Sequence, residues 1–197
     1  SDDGFVRDVH VSKLIIDPNN NNVFYATTQG ATEYTDKVGD GAGVFKSTDR
    51  GNSWTQINNG LDSLETNILT VDPNDSETLY LGTDDDGVYK STDGGESWKK
   101  LNVSSIPKSF GVGDIIVDPQ NSNNIYIGTV DYFRLSESRG VLGDFGVYKS
   151  TDGGATWEEF NVGLNHLGVF SLELSEENRI LYAGTRAGGV YWISLDN

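Results

Sequence analysis

The 197-residue sequence contains no cysteine and no methionine. Without cysteine there is no disulfide, no thiolate metal site and no thiol nucleophile. There are only two histidines, His10 and His166, and no nucleophile-elbow motif, which argues against a Ser-His-Asp hydrolase. Basic residues are scarce: 14 Lys and Arg against 30 Asp and Glu leave a formal net charge of −16. That balance lacks the basic footprint of a nucleic-acid binder, and an anionic membrane surface would repel it. No apolar run approaches the ~18 residues of a membrane span, so no membrane insertion is expected. No basic segment with an apolar core opens the chain, so no signal peptide is expected within it. With no initiating methionine, Ser1 is expected to follow a removed segment. Proline is sparse at 4 residues and glycine frequent at 24. That ratio suits many short strands joined by tight turns, in a chain long enough for one domain.

What is present is an octet that occurs three times: Ser47-Thr48-Asp49-Arg50-Gly51-Asn52-Ser53-Trp54, Ser91-Thr92-Asp93-Gly94-Gly95-Glu96-Ser97-Trp98 and Ser150-Thr151-Asp152-Gly153-Gly154-Ala155-Thr156-Trp157. The shared pattern is S-T-D-x-G-x-[ST]-W. Asp49, Asp93 and Asp152 suit a hairpin turn, because an aspartate carboxylate accepts hydrogen bonds from amides just ahead of it. Gly51, Gly95 and Gly154 supply the positive φ that a short turn needs. The Ser or Thr before the Trp is expected to begin the return strand. Trp54, Trp98 and Trp157 then each bury a ring of about 150–250 Å². At about 25 cal/mol/Å² that is at most roughly 4–6 kcal/mol per ring. A chain rarely needs one catalytic residue three times, so these acids read as structural staples rather than catalytic or metal-binding groups.

Three strand signals recur around the octets. The first ends in Asp-Pro: Leu14-Ile15-Ile16-Asp17-Pro18, Leu69-Thr70-Val71-Asp72-Pro73 and Ile115-Ile116-Val117-Asp118-Pro119, with Leu172-Glu173-Leu174-Ser175 as a copy lacking the Pro. The second is Tyr-x-Gly-Thr at Tyr80, Tyr126 and Tyr182, degenerate at Tyr25. The third runs into the octet from Val44, Val88 and Val147, and ends the series at Val190-Tyr191-Trp192. These short β-branched and aromatic runs read as strands A, B and C, and each octet Trp introduces a strand D. Four antiparallel strands repeated radially make a propeller blade. The expected fold is all-β: a propeller or propeller arc of four four-stranded blades, at about 1–58, 59–103, 104–162 and 163–197, with the last blade lacking its outer strand. In strand A one parity is always apolar (Leu14 and Ile16, Leu69 and Val71, Ile115 and Val117, Leu172 and Leu174). That face is expected to pack against the neighbouring blade.

The octet resembles the Asp-box, or BNR, repeat of sialidases, sortilin-type receptors, xyloglucan-cleaving hydrolases and a photosystem II assembly factor. The resemblance extends over nearly the whole chain. It implies a β-propeller and leans toward a secreted or cell-surface protein. It implies no single function, because these families do unrelated things. Sialidases use an Arg triad with a Tyr/Glu pair and an Asp acid, but the six Arg here are scattered and the Arg-Ile-Pro start is absent. Xyloglucan-cleaving relatives set two carboxylates across a cleft between two propellers, and a second propeller is not in this sequence.

In an antiparallel meander the A–B and C–D turns share one edge, and the D–A and B–C loops share the other. The B–C loops are long in units 1 and 3, at 29–42 and 130–145, and short in units 2 and 4. Ligand binding is expected on that edge, because loops carry function on a rigid scaffold. The candidate binding residues are Tyr34, Asp36, Tyr132, Phe133, Arg134, Arg139 and His166, a set of aromatic and charged groups suited to a sugar or a protein partner. No cofactor is expected beyond Ca²⁺ at Asp84-Asp85-Asp86, where oxygens cluster without the alternation of an EF-hand loop. The leading functional reading is a non-catalytic extracellular recognition or assembly module for protein or carbohydrate. The alternatives are a fragment of a propeller glycoside hydrolase and a photosystem-type assembly factor. An open strand edge on the last unit adds self-association that completes a propeller as an expectation.

Overall fold

The computed structural model describes residues 9–30, 41–106, 110–130 and 145–196. Fifteen strands form four antiparallel sheets, and the described residues contain no helix. The first sheet is β1 (Val9–Asp17), β2 (Asn20–Gly30), β3 (Val44–Ser47) and β4 (Thr55–Gln56). The second is β5 (Thr66–Asp72), β6 (Asp75–Thr83), β7 (Val88–Ser91) and β8 (Lys99–Lys100). The third is β9 (Gly111–Val117), β10 (Ile125–Val130), β11 (Val147–Ser150) and β12 (Glu158–Glu159). The last has three strands, β13 (Val169–Ser175), β14 (Ile180–Thr185) and β15 (Gly189–Ser194). Each sheet is a sequential meander, and the fourth lacks its outer strand, as the repeat pattern leads one to expect. Two compact units result: one holds β1 to β8, and the other holds β9 to β15 together with residues 84–87.

In the first unit, Leu69, Val71, Leu79, Leu81, Tyr89 and Trp98 of the second sheet close on Tyr25 and Val44 of the first, with Ile15 and Val23 at the margin. In the second unit, Leu172, Leu174, Leu181 and Ala183 of the fourth sheet close on Tyr126, Val147 and Ile116 of the third. The apolar parity of strand A thus packs onto the opposite face of the preceding sheet in both units. The first sheet departs from this pattern. Leu14 and Ile16 have the right parity but are 56% and 51% exposed, because no described sheet precedes β1. Trp54 departs for the same reason. Trp98 is buried and donates Nε1–H to Ile57 O of the preceding sheet at 2.8 Å, while Trp54 is half-buried and bonds Gly51 O within its own octet at 3.2 Å. The return strands are also shorter than expected. Each begins after the Trp and lasts two residues, because the Ser or Thr before it turns back to the octet aspartate.

The Asp of each Asp-Pro pair does more than open a turn. Asp17, Asp72 and Asp118 are buried, and each accepts the amide two residues ahead, from Asn19, Asn74 and Gln120. Asp17 and Asp118 also reach the following sheet. Asp17 accepts Ser76 Oγ–H at 2.9 Å, and Asp118 takes both arms of the Arg179 guanidinium at 2.9 and 2.6 Å. Burial by itself pushes the Asp118 carboxyl up. The Arg179 guanidinium, the Gln120 amide and Asn124 together outweigh burial and hold it below the usual aspartate value. A fully buried acid needs such a partner, and removing one member of a buried pair typically costs 3–5 kcal/mol.

Close approach of the sheets explains a glycine of the second strand signal. A Cβ on Gly128 would lie 2.6 Å from Val169 Cγ1 of the next sheet. Thr27 takes this place in the first sheet, where its hydroxyl donates to Asn67 O of the next sheet at 3.0 Å. Gly128→Ala should therefore overpack the contact and lower stability by about 1–3 kcal/mol. Urea denaturation checks this, and an unchanged midpoint would remove Gly128 from the packing argument.

Candidate functional site

The two edges of each sheet carry different chemistry. At one edge each octet turn docks at the start of strand B or just before it: the amides of Arg50, Gly94 and Gly153 donate to the carbonyls of Asn22, Glu77 and Asn123. At the other edge the C-strand entrance docks on a D–A loop: Gly43 N–H donates to Leu64 O at 3.1 Å and Gly146 N–H to Leu167 O at 2.8 Å.

The octets have one geometry. The residue after each Asp sits in the left-handed region, at φ 64° for Arg50, 66° for Gly94 and 71° for Gly153. Gly51, Gly95 and Gly154 follow at 84°, 92° and 93°. Two successive residues of this kind wrap the turn around a serine. Ser91 Oγ receives Gly95 N–H at 2.9 Å and donates to Asp93 Oδ1 at 2.7 Å. Asp93 then accepts the Ser97 amide on Oδ1 at 2.9 Å and the Ser97 hydroxyl on Oδ2. The other two octets repeat this, with Ser53 and Thr156 in the place of Ser97. The hydroxyl and amide at the fourth residue ahead, with the serine two behind, hold the Asp49, Asp93 and Asp152 carboxyls at a pKa of about 2. Each is therefore ionised at neutral pH and has no proton to donate. The acceptor capacity of both oxygens is largely used inside the turn.

At the loop edge, three B–C connections close on one motif. Thr28 Oγ1 donates to Gly43 O and accepts Ala42 N–H, and Thr129 Oγ1 does the same with Gly146 O and Phe145 N–H. Thr185 closes the short fourth loop on Gly189 O and Gly188 N–H. An asparagine after the return strand completes two of these necks. Asn58 and Asn161 each accept the amide of Val44 or Val147 and donate to the carbonyl of Ala42 or Phe145. Glu65 of a D–A loop accepts Gly30 N–H at 2.9 Å and Gly41 N–H at 2.7 Å, gripping both ends of the first long loop. The interiors of the two long loops lie outside the described residues, and with them the candidates Tyr34, Asp36, Tyr132, Phe133, Arg134 and Arg139.

His166 is described. It is exposed in the last D–A loop and packs over Gly188, where a Cβ would lie 2.3 Å from His166 Cδ2 and 2.7 Å from Tyr191 Oη. Two further residues on this edge were missed in the sequence. The Arg186 guanidinium, from the fourth B–C turn, lies 5.1 Å over the ring of Phe170. Phe170 is 39% exposed at an irregularity between Val169 and Ser171 of β13. Every strand A carries such a bulge between its second and fourth residues, filled by Ser12, Asn67 and Gly113 in the other sheets. Bulges re-aim side chains and are common beside sites, and Phe170 is the aromatic among the four. The sequence signal was that mismatch within an otherwise regular repeat. At the run Asp84-Asp85-Asp86, the first residue is buried and the second exposed. No group of three or more His, Asp or Glu gathers as metal ligands among the described residues.

Comparison with known proteins bears on fold and family together. The sequence pattern of the Sortilin-Vps10 family (sortilin, neurotensin receptor 3) matches residues 42–191. Xyloglucanase Xgh74A of Acetivibrio thermocellus is 36% identical over 96 residues, covering 44% of this chain and 11% of that protein. The GH74 enzyme of Niastella koreensis is 28% identical with a TM-score of 0.68, over 94% of this chain and 28% of the enzyme. An ancestral GH74 enzyme is 26% identical with a TM-score of 0.72, over 92% of this chain and 22% of the enzyme. The chain thus spans a minor part of each of these relatives, and its sheets are β-propeller blades of the Asp-box type.

The octet geometry has a pH signature. A group whose pKa is lower in the folded than in the unfolded chain adds stability above the unfolded value and loses it as pH falls through the folded one. For these aspartates that window runs from 3.8 down to about 2. Thermal midpoints should fall across it, and Asp93→Asn should flatten that fall while lowering the midpoint at neutral pH.

Proposed function

We propose that this chain, which belongs to the Sortilin-Vps10 family, is a glycan-recognition segment of a secreted or cell-surface propeller protein. Its contact surface is the edge formed by the D–A and B–C loops. The observation that carries this reading is the group on the fourth sheet. Phe170 lies under the Arg186 guanidinium on the edge that also holds His166. An exposed ring offers the apolar face of a pyranose a stacking surface, and an arginine beside it offers donors to hydroxyls. The likeness to Xgh74A and to the GH74 enzymes supports a β-linked polysaccharide such as xyloglucan as the ligand class.

The octet aspartates serve as staples in this reading. Hydrolysis of a glycosidic bond needs two carboxyls about 5–9.5 Å apart, one of them able to carry a proton. Asp49, Asp93 and Asp152 are held at a pKa of about 2 and do not meet the second condition. The octet aspartates are therefore not the proton donor of a hydrolase.

Affinity electrophoresis in gels containing xyloglucan tests the reading. The chain should be retarded. Phe170→Ala, Arg186→Ala and removal of residues 131–144 should each relieve the retardation, the point substitutions by about tenfold in affinity, equivalent to about 1.4 kcal/mol. Mobility unaffected by xyloglucan and by other β-glucans would overturn it.

A further inference from the structure

We propose that Asp114, in the third sheet, is a positioning residue for the Phe170–Arg186 pair of the fourth. It acts through the bulge that carries Phe170 rather than on the glycan itself. The inference rests on reading that pair as the glycan contact. Matched by register, the start of strand A runs Val11-Ser12-Lys13-Leu14, Thr66-Asn67-Ile68-Leu69, Val112-Gly113-Asp114-Ile115 and Val169-Phe170-Ser171-Leu172. Two departures coincide where the third and fourth sheets meet. Asp114 stands where the other sheets have Lys13, Ile68 and Ser171, and Phe170 is the aromatic at the bulge.

The first unit makes the same contact with hydroxyls. Ser12 Oγ–H donates to Thr66 O at 2.8 Å, and Thr27 Oγ1–H to Asn67 O at 3.0 Å, so side chains of the first sheet hold the carbonyls at the β5 bulge. In the second unit glycines occupy both places. A Cβ on Gly113 would collide with Val169 O, and one on Gly128 would meet Val169 Cγ1 at 2.6 Å. The backbone of β9 and β10 therefore lies directly against the bulge, with no hydroxyl there to hold it. The Asp114 carboxylate supplies the tie instead. Its Oδ2 accepts the Leu172 amide, two residues past Phe170, at 2.8 Å, and its Oδ1 accepts the Ile115 amide at 2.9 Å. The first bond joins the two sheets and the second fixes the carboxylate on its own strand. Within the fourth sheet, a Cβ on Gly184 would collide with Ser171 Oγ, so the bulge is confined on that side as well. A bulge held in this way sets the direction of its side chain.

Asparagine keeps the shape of this side chain but places an NH2 donor where one carboxylate oxygen accepts, so Asp114→Asn cannot hold both amides. Asp114 is half-buried, and the other sheets carry lysine, isoleucine or serine in its place. The variant should therefore remain folded by circular dichroism, and Asp114→Ser provides a second one. Each should weaken retardation by xyloglucan by about tenfold, as Phe170→Ala does, and cost nothing further in a Phe170→Ala background. Retardation unchanged by the substitution, or an equal loss in both backgrounds, overturns the proposal. Proton NMR separates this inference from the reading beneath it. In the wild type the Arg186 side-chain protons lie over the Phe170 ring and should be shifted upfield by its ring current. Asp114→Asn and Asp114→Ser should both abolish that shift. If xyloglucan leaves the wild-type chain unretarded while both variants lose the shift, the glycan reading falls and the positioning role stands. A shift retained in either variant overturns the positioning role.

Discussion

A four-stranded sheet with apolar residues on both faces cannot bury them alone, and this constraint governs the molecule. β6 shows it most directly, since every residue from Thr78 to Thr83 is buried. Burial on both sides of a strand requires a second sheet, supplied in the first unit by Tyr25 and Val44 and in the second by the Leu172–Leu174 face. The polar features follow from the same contact. Asp17 and Asp118 are buried there and must find donors, which they take from the sheet they face. The glycine of Tyr126-Ile127-Gly128-Thr129 and the tryptophan at 98 likewise answer to a neighbour rather than to their own sheet. The octet aspartates are different, being satisfied entirely within eight residues.

That division accounts for how far the sequence could be read. The octets, the strand signals and the missing outer strand were plain, because each is a local pattern whose period and turn chemistry need no partner to interpret. The left-handed conformation at Gly51, Gly95 and Gly154 could be read from residue type alone. The roles of Asp17 and Asp118 could not, because a donor 59 or 61 residues away leaves no local trace. Leu14 and Ile16 show the same limit from the other side. Their alternation is correct for burial, but alternation does not reveal whether a neighbouring face is there.

On the loop edge, legibility followed the same rule. His166 is legible in the sequence because it lies in a loop opposite the octets. Phe170 falls inside a strand pattern, which conceals it. Only the bulge at Val169–Ser171 turns it toward Arg186. Bulges of this kind are visible as a residue type that breaks ranks with its counterparts: Ser12, Asn67 and Gly113 are small or polar where Phe170 is a large ring. A repeat protein thus offers its own internal control, and the informative positions are those where one copy disagrees with the rest.

The threonine–glycine closures carry a consequence for how such a chain diversifies. Thr28, Thr129 and Thr185 make the same two bonds whether the intervening segment is a bare turn or more than a dozen residues. The sheet below senses only the two ends of the segment, and loop-closure entropy grows slowly with length. Selection can therefore rewrite, lengthen or transplant what lies between them with little penalty to the framework. Novel specificities would then arise by exchanging cassettes at fixed junctions, each tried on a platform whose folding does not hinge on the outcome.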